Sequence, residues 1–140
     1  MQEINFDATV EKILERDPRY HRDAYLFLRE ALDFTKNQIH KNVPVDKREK
    51  HITGQELLDG IRQFALQQFG PMTATVLDEW GIRNCGDFGE IVFNMVDIGL
   101  LAKTDKDSRD DFQNGYDFTE AFRKPFWPQD KAADKPKPVR

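Results

Sequence analysis

Several groups of residues in this chain carry side chains of a type that does chemistry. From Asp105 to Asp111 the run DKDSRDD sets four aspartates within seven residues, the composition of an oxygen-ligand loop for a hard cation. An EF-hand loop needs glycine at its sixth position and a bidentate glutamate at its twelfth. Counted from Asp105 those are Asp110 and Tyr116, so the pattern fails, and a solvated turn is favoured over a weak divalent-ion site. Cys85 lies just ahead of an expected helix start, where the helix dipole lowers a thiol pKa and can make a nucleophile. Asp87 already holds that helix end, however, and neither a general base nor a glycine-flanked nucleophile turn accompanies the cysteine. A small buried cysteine is the favoured reading, and an enzyme using Cys85 or the aspartate loop is the alternative. His21, His40 and His51 are 19 and 11 residues apart, which is no ligand spacing on one helix. No catalytic residue, metal ligand or cofactor motif is therefore assigned.

Two further groups suit contact rather than chemistry. Glu90, Asn94 and Asp97 form the only polar stripe on a segment whose other positions, Phe88, Ile91, Val92, Phe93, Met95, Val96 and Ile98, cover more than half a helical circumference. Phe126 and Trp127, bracketed by Pro125 and Pro128, make an aromatic anchor in an otherwise polar tail. Docking back onto the chain's own helices is the commoner fate of such a pair; insertion into a partner's groove is the sharper one.

The elements that must position these groups are mostly helical. Val10, Ile13 and Leu14 share a face between Asp7 and Arg16, with Phe6 beside them, and Asp17-Pro18 ends that helix. From Arg22 to about Lys41, Tyr25, Leu28, Leu32, Thr35 and Ile39 recur at helical spacing, widened by Phe27, Ala31 and Phe34. A third helix runs from Thr53 to Phe69, where Thr53 and Glu56 make a capping box and Gly70-Pro71 is the stop. A short helix from Met72 to Trp80 follows. The next is expected over Asp87–Ile98, with Asp87 as cap and Glu90 three residues on. After Gly99, Leu100–Thr104 is expected as a strand, Asp105–Gly115 as a polar loop and Tyr116–Phe118 as the returning strand. The fold class is thus mainly α: a helical bundle with a winged-helix-like half over residues 53–118 and a small β-hairpin. Residues 1–128 form one domain and 129–140 a disordered basic tail.

With 140 residues, 39% hydrophobic and 33% charged, the chain suits one soluble domain that buries roughly 70% of its unfolded surface. Neither a secretion signal nor a membrane-spanning run is present, and one cysteine cannot close an internal disulfide, so a cytoplasmic protein with no membrane partner is expected. The net charge of −4 is unevenly spread. Residues 1–52 hold ten basic and ten acidic residues, residues 53–118 five and twelve, and residues 119–140 six and three.

The phrases ELLDGIRQFALQQFG, WGIRNCGDFGEIVF, GLLAKTDKDSRDDF and YDFTEAF resemble a family of uncharacterised bacterial proteins best known from the Planctomycetes and Verrucomicrobia, over about residues 25–122. That resemblance implies kinship and supplies no activity, cofactor or site residue. Element order from Thr53 to Phe118 separately resembles a winged helix, with Asp87–Ile98 in the recognition-helix position. Binding of nucleic acid rests on phosphate neutralisation by Lys and Arg, and this segment has neither; its stripe presents Glu90 and Asp97 to a polyanion. The expectation is a non-catalytic protein-interaction or regulatory module that meets another protein, its own copy included. Nucleic-acid binding is the alternative and would fall to Arg123, Lys124, Lys131, Lys135, Lys137 and Arg140 of the tail.

Overall fold

The computed structural model describes residues 5–41, 43–44, 46, 52–101, 112–113 and 115–128. The expected Asp105–Asp111 loop, most of the Leu100–Thr104 strand, His51 and the tail 129–140 lie outside them. Among the described residues the fold is mainly α, with five α-helices and no strand.

Helix α1 (Phe6–Arg16) starts where the Asn5 side chain accepts the Ala8 N–H, and it buries Val10 and Ile13. In α2 (Arg22–Ile39) the cap is His21, whose Nδ1 accepts the Asp23 N–H at 3.0 Å. Its inner face carries Tyr25, Phe27, Leu28, Ala31 and Thr35. The expected capping box opens α3 (Gly54–Phe69), with Thr53 and Glu56 bonding each other's backbone N–H at 3.0 Å. Helices α2 and α3 cross closely because Gly60 has no side chain: a Cβ there would lie 1.7 Å from Thr35 Oγ1. Thr35 is buried at that crossing and gives its hydroxyl proton to the Ala31 carbonyl, so no polar group is stranded.

A 3₁₀ turn, Gly70–Met72, leads into α4 (Thr73–Glu79). Phe27, Phe64, Phe69 and Trp80 pack together here with ring centroids 5.5–5.7 Å apart, Trp80 partly buried against the core. The chain then turns at Gly81, which takes φ +89° and sits against the Arg19 carbonyl; a Cβ would stand 2.4 Å from that oxygen.

Helix α5 spans Cys85–Asp97, two residues earlier than expected at its start. Its cap is Asn84, whose side chain accepts the Asp87 N–H at 3.0 Å; Asp87 is the third helical residue, and its Oδ2 accepts the N–H groups of Arg83 and Asn84 at 2.8 and 3.3 Å. Gly86 and Gly89 obscure this start in sequence, since glycine weakens a helix interior. Gly89 is there for space: a Cβ would lie 2.9 Å from the Phe112 side chain.

The returning strand is corrected as well. Tyr116 and Asp117 have no regular structure, and Phe118 opens a wide helical turn, Thr119–Arg123, followed by a 3₁₀ turn, Lys124–Phe126. Alternation in YDF reads as a strand, but Asp117 acts as a cap. Its side chain accepts the Glu120 N–H at 3.1 Å and its carbonyl the Ala121 N–H at 2.9 Å. Phe118 and Phe122, four residues apart, then turn the same way to meet Phe88 and Tyr116. We call residues 115–127 the C-terminal arm.

Candidate interaction surface

Two surfaces follow from the residues singled out above, one on α5 and one on the arm. The polar stripe of α5 is largely taken up by the chain's own α1–α2 turn. Asn94 Nδ2 donates to Asp17 Oδ2 and to Tyr25 Oη, both at 3.0 Å. Arg19 grips Asp17 through two bonds, Nε to Oδ1 at 2.8 Å and Nη2 to Oδ2 at 2.7 Å, and reaches Glu90 Oε1 at 3.3 Å. One turn earlier on α5, Asp87 Oδ1 accepts the Tyr20 hydroxyl at 2.6 Å. The His21 N–H, donated to the Trp80 carbonyl at 3.1 Å, ties the same turn to the end of α4. Asp97, beyond this network, is exposed.

Electrostatics match this geometry. The Arg19 guanidinium holds the Asp17 carboxyl well below its usual range, and Asp17 in turn keeps Arg19 more firmly protonated. Burial, with Asp87 alongside, pushes the Tyr20 hydroxyl up, so it remains a donor. Three of the four carboxylates in or beside the stripe thus work as structural acceptors. Sequence reasoning missed Asp17, Arg19, Tyr20 and Tyr25, because Asp17-Pro18 reads simply as a helix end. Contacts across some 70 residues leave no local pattern.

Cys85 is the first residue of α5 rather than a loop residue before it. It is 3% exposed and donates its thiol proton to the Tyr116 carbonyl at 3.4 Å; burial pushes its pKa up to about 11, away from a nucleophile's thiolate. A cleft of about 470 Å³ opens beside it between Asn84, Gly86, Gln113 and Asp117. His21 serves as a cap, and His40 ends α2. Among the described residues no three His, Cys, Asp or Glu side chains form a set able to hold a metal ion. A second groove, of about 290 Å³, lies where α1 and α2 meet the end of α5, with Phe6, Leu32, Met95 and Leu101 along it.

The arm is held by its first half and displays its second. Ala121 and Phe122 are buried, and Tyr116 Oη donates to the Leu58 carbonyl at 2.7 Å. Phe126 and Trp127, in contrast, are 44% and 50% exposed. A 3₁₀ turn advances about 120° per residue against 100° for an α-helix, so Phe126 is rotated out of line with Phe122. Pro125 fixes φ in that turn, and Lys124 Nζ lies over the Trp127 ring at 5.8 Å. Comparison with family models, curated proteins and solved structures gives no match to this chain.

Proposed function

We propose that the protein is a non-catalytic interaction module whose contacting element is the C-terminal arm, with Phe126 and Trp127 as its anchors. The observation that carries this reading is their exposure, 44% and 50%, on a segment whose preceding residues Ala121 and Phe122 are sunk in the core. Large aromatics on a rigid mount give contact area at a small ordering cost, which is how interface anchors gain affinity. Among the described residues the groups that could do chemistry are engaged within the fold: Cys85 is kept as a thiol, and Asp17, Asp87 and Glu90 are acceptors. Glu90 and Asn94 move from the role of interaction residues to that of internal clasp, leaving Asp97 exposed.

In this reading α3, α4 and α5 are the helical part of a winged-helix-like half, and α1 with α2 covers it. Nucleic acid then has no route to α5, by occlusion as well as by sign. Kinship with the uncharacterised bacterial family forms part of this proposal and supplies no residue role. The test compares the full chain with a Phe126→Ala/Trp127→Ala variant in sedimentation velocity and in affinity capture from a cell extract at low salt. A self-association or a captured partner should weaken about tenfold or more in the variant, as for loss of a hot-spot aromatic. Contacts identical in both proteins would sink the reading.

A further inference from the structure

Away from the arm, we propose that the groove between α1, α2 and the end of α5 is a binding site for a small amphipathic carboxylate, a short alkyl chain ending in a single anion. Its floor is apolar: Met95 is fully buried, and Phe6, Leu32 and Leu101 lie half-buried around it. At about 290 Å³ the groove stands at the small end of ligand pockets, which run from roughly 300 to 1,000 Å³. That is room for one chain rather than for a fused-ring cofactor. Apolar surface in such a groove faces water until something covers it, so each methylene laid there should tighten binding about threefold to fourfold.

Charge selects the headgroup. Arg29, Asp33 and Lys36 also line the groove, and with Leu32 they fall at i, i+4, i+7 and i+3 of α2, on one face of that helix. Two cations against one carboxylate leave this edge net positive. Among the described residues neither Arg29 nor Lys36 is in an ion pair, so both charges are available to an anion. Arg29 is the better placed: its Cζ lies 4.9 Å from the centroid of the Phe6 ring, on the α1 side of the groove. A guanidinium held over a ring keeps its in-plane N–H fork for a carboxylate and has less freedom to lose on binding. An alkyl ammonium would be repelled by the same edge, and an alcohol would leave its cations unused. The arm of a second copy fits worse, because Lys124 is paired with Glu120 and Arg123 would bring an exposed cation to a positive edge.

The test titrates the full chain with sodium decanoate below its micelle concentration, read by backbone amide NMR shifts and by the melting temperature. Decanoate should bind with a dissociation constant of about 1 mM or tighter, move the amides of Leu32, Lys36 and Leu101, and raise the melting temperature. Octanoate, two methylenes shorter, should bind about tenfold more weakly. Decanol and decyltrimethylammonium should each lose about tenfold, the share of a charge-assisted hydrogen bond. Arg29→Gln should cost about tenfold and Lys36→Gln about threefold, with ligand-free melting unchanged because neither side chain belongs to the core. Leu101→Glu, which sets a carboxylate into the apolar wall, should abolish binding. Affinity weaker than about 10 mM, shifts confined to residues outside the groove, equal binding of decanol or the ammonium, or undiminished binding by Arg29→Gln overturns the proposal. So do groove amides that move when the protein is concentrated alone, which would seat a second copy there. The groove shares no residue with the arm, so none of these outcomes decides whether Phe126 and Trp127 meet a partner.

Discussion

The two flanks of α5 are secured by opposite kinds of force. On one side the α1–α2 turn is fastened by directional bonds from Tyr20, Arg19 and Asn94 to carboxylates and a phenol. On the other, the C-terminal arm is fastened mainly by rings, with Phe118 and Phe122 packed on each other at 5.0 Å and Phe118 on Phe88 at 5.5 Å. Hydrogen bonds fix register but contribute modestly to net stability, whereas burial of large rings contributes much and specifies position less sharply. The polar clasp should therefore decide where the turn sits. The aromatic side should decide how firmly the molecule holds together.

The largest expected effect breaks the aromatic side. Phe122 is fully buried and touches both Tyr116 and Phe118. Phe122→Ala removes those contacts and leaves a cavity, and should cost about 3–5 kcal/mol. In a thermal melt that is a fall of roughly 10–20 °C. A drop of only a degree or two would mean that the arm is a loose appendage and that the comparison is misdrawn.

Much of this architecture was legible along the chain, for a physical reason. Helices α1 to α4 declare themselves by local periodicity and caps, above all by Thr53 and Glu56, whose bond partners are three residues apart. The same logic placed a cap at Asp87 but missed that Asn84 holds the Asp87 N–H, because a three-residue spacing fits either pair. Tyr116–Phe118 was misread for want of weight given to Asp117 and Glu120, a cap signature hidden inside an alternating pattern. The clasp was beyond reach. Glu90 and Asn94 look like a solvent stripe from sequence alone, and only the return of Asp17, Arg19 and Tyr25 through space turns them inward.

Breaking the polar side should cost less. Asn94→Ala removes the donor shared by Asp17 and Tyr25 and should cost about 1–2 kcal/mol, since it leaves partly buried acceptors short of a partner. Arg19 is more than half exposed at its side chain, so Arg19→Ala should cost less again. If Arg19→Ala proved the more damaging of the two, charge rather than hydrogen bonding would hold the turn. Acid should sharpen the distinction. Asp17 titrates in the folded protein well below the ordinary value of 3.8. Its stabilising contribution is therefore complete above that value and is lost as the pH falls through the range beneath it. In melts between about pH 7 and pH 2, Asp17→Asn should start less stable than the parent and lose less on acidification. Parallel curves would show that the Asp17–Arg19 pair contributes nothing measurable.

The smallest expected effect is the most telling about the arm. Trp127 is as large as any residue in the chain, yet half of it is exposed, and its removal opens no core cavity. Trp127→Ala should therefore shift stability by no more than about 0.5 kcal/mol, the ordinary range for a surface substitution, against several for Phe122→Ala five residues earlier. That contrast separates the two halves of the arm, the first packed into the core and the second exposed and proposed as the contact. A loss above about 2 kcal/mol would mean that the indole is part of the core's support. Phe126 and Trp127 would then rank with Phe118 and Phe122, and the aromatic side of α5 would be structural from end to end.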